Sequence, residues 1–211
     1  MDNQLNPDFI LSEIINGDAE LIPLLSPEDE KRMNEESLPE ELPIMALRNA
    51  VLFPGVVMPI TVGRRKTIHL IKEAYKKHID IGVIAQRDAK VEEPLLSDLF
   101  EVGTIGQVLK TLQMPDGNFT VIVQGKRRFK LESITETEPY LKGRVSAYGN
   151  ADNAPRDRQF KALIQSIKEM AMQIVQKSAN VPFEATFALK NIESPWFLVN
   201  FIGSNLVSNM N

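Results

Sequence analysis

Two histidines and one glycine–lysine pair are the residues of this 211-residue chain whose types could do chemistry. His69 and His78 are nine residues apart on the polar side of a predicted helix. Because the chain has no cysteine and no carboxylate cluster near them, they make poor metal ligands, and two solvated histidines are the better interpretation. Gly125-Lys126 looks like the end of a phosphate-binding loop, but Thr120 stands where that motif requires glycine. The sequence therefore predicts no metal site, no bound cofactor and no catalytic residue.

Two clusters of basic residues could contact a partner. Arg64, Arg65 and Lys66 open the predicted helix, and 126–128 with Lys130 lie on a long predicted strand. One interpretation is a nucleic-acid surface; the other is a solvated strand face whose lysines discourage edge pairing. The second is favoured, because the excess positive charge is small and no aromatic residues interleave with the basic ones. The first cluster remains a candidate for polar contacts with a polypeptide.

Apolar residues next to a predicted turn are the candidates for binding variable apolar ligands. Met114 and Phe119 flank the turn at 115–117, and Met58 lies in a predicted strand. Methionine and aromatic side chains suit a surface that accepts many sequences, because they repack readily. Residues of these types belong to the core more often than to a binding surface, so both interpretations stay open.

The charge is distributed unevenly along the chain. Residues 1–41 hold twelve acidic and two basic side chains, a net charge of −10, whereas the remainder carries +6. Such a composition is typical of a disordered acidic leader, and a short helix at 8–15 that docks on a partner is the alternative. No run reaches the roughly 18 apolar residues of a membrane helix, and no secretory signal is visible. Together with the lack of cysteine, these features favour a cytoplasmic protein.

Residues 42–148 are predicted to be mostly strand, with one helix over 64–78. A long strand over 118–131 alternates between apolar and polar residues, which predicts one buried and one solvated face. The residues assigned to the buried face are Phe119, Val121, Val123, Phe129 and Leu131.

The apolar period changes from 2 to 3.6 after a predicted linker at 149–155. A helix is predicted over 156–177, and Ser194 and Pro195 are typical of the N-cap and first position of a later helix. We therefore predict a helical subdomain over 156–211, joined to the strand-rich region by a flexible hinge. The apolar stripe of its first helix is predicted to be continuous through Phe160, Leu163, Ile164, Ile167, Met170, Ala171, Ile174 and Val175.

Three segments carry a resemblance to a known family. The first is LPIMALRNAVLFPG at 42–55, an apolar run that ends in an arginine turn and resumes after Phe-Pro-Gly. The second is DLFEVGT at 98–104, and the third is LQMPDG at 112–117 followed by VIVQGKRR at 121–128. Their order and spacing resemble the N-terminal domain of the ATP-dependent Lon proteases, over about residues 42–207.

The resemblance implies a fold and a role. The implied fold is α+β: a PUA-like twisted β pseudo-barrel with one helix, followed by an α-helical subdomain that is truncated here. The implied role is the substrate-recognition and oligomer-assembly module of a cytoplasmic serine protease that degrades misfolded and regulatory proteins. Misfolded or degron-bearing proteins would be its partners, together with other copies in a hexamer. ATP and Mg²⁺, like the Ser–Lys dyad, are expected only in the full-length protease.

Two alternatives remain beside this role. One is a stand-alone Lon-like binding protein with no protease attached, and the other is a PUA-like domain that binds RNA. Neither a nucleic acid nor a membrane is the expected partner, since the basic residues are dispersed and no membrane-spanning run occurs.

Overall fold

The computed structural model describes residues 27–113, 119–149, 157–177 and 183–207. Within these residues it contains a six-stranded sheet and five α-helices, with a 3-10 turn at Leu96–Asp98. In chain order the elements are α1 (Pro27–Glu35), β1 (Glu41–Leu47), β2 (Val57–Val62), α2 (Arg65–Lys77), β3 (Ile81–Ala85), β4 (Val102–Gln113), β5 (Phe119–Glu136), β6 (Lys142–Ala147), α3 (Arg158–Lys177), α4 (Phe183–Asn191) and α5 (Pro195–Val207).

The sheet closes into a small barrel. Its strand order is β2-β5-β4-β3-β1-β6, and a further pairing between β5 and β6 joins the two sides. β1 and β3 run parallel, while the other pairs are antiparallel. β5 is long enough to pair with β2 through its first third, with β4 as far as Lys130, and with β6 from Phe129 to Glu136. The predicted α+β class, with a twisted β barrel followed by helices, is confirmed.

Among the described residues, β2 hydrogen bonds to one neighbouring strand, β5, and Pro59 lies in its middle. The carbonyl of Val56 accepts the N–H of Gly125 at 2.9 Å, which fixes the residues of even number as those whose backbone faces β5. The nitrogen of Pro59 therefore faces away from β5, where its missing N–H removes no ladder hydrogen bond.

Phe129 fills the centre of one half of the barrel core and is fully buried. Its ring occupies the space beside two strand glycines: a Cβ at Gly103 would lie 2.6 Å from the ring, and a Cβ at Gly82 would lie 2.9 Å from it. The glycines in these strands thus make room for one large aromatic side chain, which compensates for the contacts they lack.

Gly125 lets β5 approach the turn that precedes β2. A Cβ at this position would lie 2.2 Å from the carbonyl oxygen of Phe53, while the carbonyl of Gly125 accepts the N–H of Gly55 at 2.8 Å. Neither backbone segment can shift without losing these hydrogen bonds. We therefore expect Gly125→Ala to lower the free energy of unfolding by about 1–3 kcal/mol, the usual range for overpacking.

Urea denaturation measures this effect, and Gly63→Ala is the matched control. A Cβ at Gly63 would meet nothing within 4 Å, so its replacement should leave the unfolding midpoint nearly unchanged. Equal midpoints for the two variants would show that the close approach of the two backbone segments at Gly125 does not affect the free energy of unfolding.

The prediction that the polar face of β5 is solvated is wrong for the first half of the strand. Thr120 and Ile122 belong to that face, and both are buried. The reason is that this half of β5 has neighbours on both sides: Ile122 lies between Pro59 of β2 and Lys110 of β4 in the strand register. Side chains from adjacent strands cover one another even where no second layer is present.

The helices that follow the barrel and the cap of the last one agree with the prediction. α3, α4 and α5 follow the barrel, and Ser194 caps α5 by accepting the N–H of Phe197 at its hydroxyl, 3.1 Å away, with Pro195 at the first helical position. Most of the predicted linker lies outside the described residues. The proposed division into two units joined by a hinge therefore stays a prediction.

The predicted continuous apolar stripe of α3 is divided in the structure. Ile164, Ala171, Met172 and Val175 pack against a cluster formed by α4 and α5. In contrast, Leu163, Met170 and Ile174 are 57, 55 and 59% exposed. The stripe is wider than the surface that α4 and α5 offer, so only one edge of it is covered.

The structure also differs from the expected disordered leader over 27–41. This stretch contains α1 and the start of β1, and Leu38 packs against the barrel core. Residues 1–26 lie outside the described residues. Acidic composition alone therefore does not predict the structure of 27–41, because side chains in this stretch contact other elements.

Candidate functional site

A cleft of about 390 Å³ opens beside the N-terminal end of α2. β1 forms its floor, the connection from β3 to the 3-10 turn forms one wall, and the segment before β6 forms the other. The residues that line it are Ile44, Ala46, Arg64, Arg65, Lys66, Thr67, Leu70, Glu92, Glu93, Pro94, Leu95, Thr137, Tyr140 and Leu141.

Arg64 holds the wall of the cleft in place. It precedes α2 with extended backbone (φ −73°, ψ 132°), so its side chain leaves the helix and reaches the connection after β3. Its guanidinium donates to the side-chain oxygen of Gln86 at 2.5 Å and to the carbonyl of Val91 at 3.2 Å. Burial lowers the pKa of Arg64, and the nearby positive charge of Arg48 lowers it further.

Gln86 is the second anchor of this wall and is 6% exposed. Its side-chain nitrogen donates to the carbonyls of Val91 at 3.0 Å and Asp88 at 3.3 Å, while its backbone N–H donates to the carbonyl of Leu47 at 2.8 Å. A charged donor and a buried amide thus satisfy the carbonyls of a connection that has little regular structure of its own.

Lys66 crosses the opposite end of the cleft. Its ammonium lies 2.6 Å from the Glu138 carboxylate and 3.4 Å from that of Glu93, and it also approaches the carbonyl of Thr137 at 3.5 Å. The hydrogen bond to Glu138 raises the pKa of Lys66. Because these groups are solvated, the pairs orient the rim more than they stabilise the fold.

The interior of the cleft is mainly apolar, and this surface continues outward. Leu95 is 60% exposed at the rim, and Leu96 and Phe100 nearby are also exposed. The Arg87 guanidinium lies 4.7 Å from the centre of the Phe100 ring, which keeps this aromatic side chain in place at the surface. Tyr140 belongs to the wall formed by the segment before β6; burial raises its pKa, and the Glu73 carboxylate raises it further.

The structure brings one predicted cluster to this cleft and separates the other candidates from it. Arg64, Arg65 and Lys66 all line it. Phe119 is instead buried at 7% exposure in the core, with the Lys72 ammonium 5.6 Å from its ring. Met58 is half-buried and packs against the same core, and Met114 lies outside the described residues. Binding through these three residues stays a prediction.

Sequence reasoning missed Gln86 and Leu95. Gln86 is polar and next to a charged loop, so nothing in its type distinguishes it from a solvated residue. The signal for Leu95 was present: Pro94, Leu95 and Leu96 interrupt a charged connection with apolar residues. Apolar residues within an otherwise polar surface loop indicate a place where the loop contacts another part of the protein or a ligand.

The second basic cluster is engaged within the protein. The Lys126 ammonium lies 2.9 Å from Glu36 and 3.0 Å from Asp80. Arg128 donates to Asn200 at 3.0 Å, and Lys130 lies 3.6 Å from Glu132. These side chains therefore make structural contacts on the outside of the barrel.

His69 and His78 lie on α2 and at its C-terminal end. The His69 imidazole is 3.6 Å from the Glu73 carboxylate, and the rings of His69 and Tyr140 are 5.8 Å apart. Among the described residues, no group of three or more histidine, cysteine or carboxylate side chains is arranged to hold a metal ion. In the same part of the chain, no helix combines the length and apolar character that crossing a membrane requires.

Comparison with known proteins gives one consistent family. Residues 41–211 match the model of the ATP-dependent protease La (LON) substrate-binding domain. The chain is 47% identical over 202 residues to the Lon protease of Flavobacterium johnsoniae, covering 96% of this chain and 25% of that protein. It is 46% identical over 188 residues to the Lon protease of Cytophaga hutchinsonii, covering 89% of this chain and 23% of that protein. The chain thus spans about a quarter of the length of these relatives.

Solved structures with the same fold carry the same family name. The N terminal domain of Mycobacterium avium complex Lon protease superposes with a TM-score of 0.60 at 16% identity, covering 81% of this chain and 91% of that one. The Lon N-terminal domain protein from Xanthomonas campestris superposes with a TM-score of 0.50 at 17% identity, covering 81% and 99%. At these identities the likeness establishes the fold.

Proposed function

This chain belongs to the family of Lon protease substrate-binding domains, and from that premise we propose that its cleft captures apolar segments of unfolded polypeptides. The captured chains would be misfolded or regulatory proteins, passed to the ATPase and protease parts of a longer cytoplasmic protease. ATP and Mg²⁺ would act in those parts, and the module described here would supply recognition.

The observation that carries this proposal is the apolar cleft with a charged rim. An apolar side chain of a substrate could enter between Leu70, Leu95 and Tyr140. The rim carries both signs of charge, so it tolerates polar neighbours of either sign along the substrate. Arg65 has no ion pair among the described residues and is available to a carboxylate of the substrate. Such a site selects apolar character and leaves sequence largely unspecified.

Binding by a single cleft is expected to be weak. One side chain in an open site offers little area, and association must first offset the loss of translational freedom and of chain entropy. Several copies assembled around the protease, as in the proposed hexamer, would hold one extended chain through effective concentration. Self-association would therefore be part of the recognition mechanism.

The RNA-binding alternative has less support. RNA recognition by a basic surface needs cationic side chains that are free to reach phosphates. Lys66, Lys126 and Lys142 instead lie within 3.0 Å of carboxylates. A stand-alone binding protein would use the same cleft. That alternative differs from the proposal only in whether ATPase and protease parts are encoded in the same gene.

A titration with a permanently unfolded protein tests the proposal. We expect the isotope-labelled chain to bind a reduced, alkylated protein with a dissociation constant between roughly micromolar and millimolar, with chemical-shift changes around the cleft. Leu95→Asp should weaken this binding by roughly tenfold, because a carboxylate at the rim would have to be desolvated against an apolar ligand. The exposure of Leu95 makes this substitution compatible with folding.

Leu109→Asp is the matched control, since Leu109 is an exposed leucine that lies outside the cleft. It should bind as the unmodified chain does. Equal binding by both variants would place the site elsewhere, for instance near Met58 and Met114. If the unmodified chain binds no unfolded protein but binds single-stranded RNA with strong salt dependence, the RNA alternative replaces the proposal.

A further inference from the structure

Residues 27–40, which we term the strap, contact both the helices and the barrel. They comprise α1 and the extended stretch that leads into β1. The strap precedes the residues matched by the family model, which begin at 41. The match to the Flavobacterium relative covers 202 of the 211 residues of this chain, so it includes most of the strap. The strap therefore lies outside the residues that the family model matches but within the alignment to this relative.

The first end of the strap is attached to the helical unit, which we define as α3, α4 and α5. The hydroxyl of Ser194 donates a short hydrogen bond to the carboxylate of Glu30. Ser194 is buried, and the same hydroxyl accepts the N–H of Phe197 as the N-cap of α5. A negative charge beside the N-terminus of a helix is also favoured by the helix dipole. One carboxylate of α1 thus fastens the start of α5.

The second end of the strap is attached to the barrel. Glu36 and Asp80 both bind the Lys126 ammonium, at 2.9 and 3.0 Å, and the Lys126 side chain is only 12% exposed. Further along, Leu38 packs against the core beside Phe129, and the carbonyl of Glu40 accepts the N–H of Val145 at 2.9 Å. Between Glu30 and Glu36 the strap is mostly helical, so it spans about 9 Å as a stiff element.

The direct contacts between barrel and helical unit form a narrow seam among the described residues. Val56 packs against the apolar cluster of the helical unit, and the ring of Phe53 faces Gly203, where a Cβ would lie 3.3 Å away. Arg128 of β5 donates to Asn200 of α5 at 3.0 Å. These contacts all involve α5 or the apolar cluster of the helical unit. The strap contacts the helical unit through Glu30 of α1, which gives the barrel and the helical unit a second connection.

We propose that the strap is a clamp that fixes the orientation of the helical unit on the barrel, and that its release lets the two move relative to each other. The Glu30 carboxylate on α1 and the Glu36 carboxylate just after this helix, one for each unit, form the clamp. The clamp acts on the relative position of the units, whatever the cleft binds.

Distance measurement between spin labels tests the clamp. The chain has no cysteine, so Lys110→Cys on the barrel and Gln173→Cys on α3, both exposed, give two unique labelling sites. We expect a narrow distance distribution in the otherwise unmodified full chain. Adding Glu30→Ala and Glu36→Ala should broaden it roughly twofold, as for two bodies released about a hinge. Glu28→Ala, an exposed carboxylate of the same helix, is the control and should leave the distribution narrow.

The variant with glutamine at both positions, Glu30→Gln with Glu36→Gln, keeps side-chain length and removes both charges, and it should also broaden the distribution. An unchanged width in either folded variant would overturn the proposal. Circular dichroism and thermal melting check the fold of each variant. Loss of the barrel fold in both would overturn it as well, because a clamp between two folded units is not required for either of them.

Discussion

Phe129→Ala is expected to lower the free energy of unfolding by about 3–5 kcal/mol, the range for removing a buried aromatic ring from a core. The ring is fully buried and fills the space beside Gly82 and Gly103. Glycines have no side chains that could move into the space left behind, so the cavity would collapse little. A cost near the upper end of the range follows, and urea denaturation monitored by circular dichroism measures it.

Phe187→Ala is the control for this substitution, since Phe187 is an exposed phenylalanine on α4. Its loss should cost no more than about 0.5 kcal/mol, as for ordinary surface positions. A cost below about 1 kcal/mol for Phe129→Ala would mean that the barrel repacks around the missing ring, contrary to the fixed positions of the glycines.

The elements of the fold were predictable because each has a local cause. The period of 2 in β5 follows from the alternation of side chains along a strand, and the period of 3.6 in α3 follows from the turn of a helix. The helix cap at Ser194 follows from a side chain that bonds its own backbone. Ser194 and Pro195 show this well, since both take the predicted capping positions. The α+β class and the family resemblance were both predicted from the order of such local patterns along the chain.

The features that were not predictable depend on contacts between distant segments. Thr120 looks solvated in the sequence, yet β2 and β4 cover it. The acidic stretch around α1 looks disordered, yet Glu30 and Glu36 find partners that are 164 and 90 residues away. Hydrophobic period and composition report on the local chain and carry no information about such pairs.

The candidate site was predicted in part for the same reason. Arg64, Arg65 and Lys66 were identified from their charge alone, and the structure shows that they serve different purposes. Arg64 turns inward to Gln86, Lys66 pairs across the cleft, and Arg65 stays at the rim. Arg64 precedes α2 with extended backbone, whereas Arg65 and Lys66 belong to the helix, so the three side chains leave the chain in different directions and make different contacts.

Arg64→Met is expected to lower the free energy of unfolding by about 3 kcal/mol. Methionine keeps much of the apolar stem but removes two hydrogen bonds from a charged donor, each worth roughly 1.5–3 kcal/mol. The side-chain oxygen of Gln86, a residue that is 6% exposed, would lose the donor at 2.5 Å. The connection after β3 would then lose one of the side chains that hold it, leaving Gln86 and Arg48 on the Val91 carbonyl, and the cleft wall that carries Leu95 would loosen.

Two measurements on Arg64→Met separate the effect on the wall from a general loss of stability. Urea denaturation gives the global cost, and hydrogen exchange should show faster exchange for the amides of 87–95 than for those of the barrel strands. Binding of unfolded protein should weaken as well, because the cleft would no longer be preformed. Arg65→Met is the matched control: Arg65 is exposed beside Arg64 without an ion pair among the described residues, so its loss should leave both stability and exchange unchanged. If the two variants unfold at the same urea concentration, the guanidinium of Arg64 does not hold the wall, and the cleft is shaped by the strands alone.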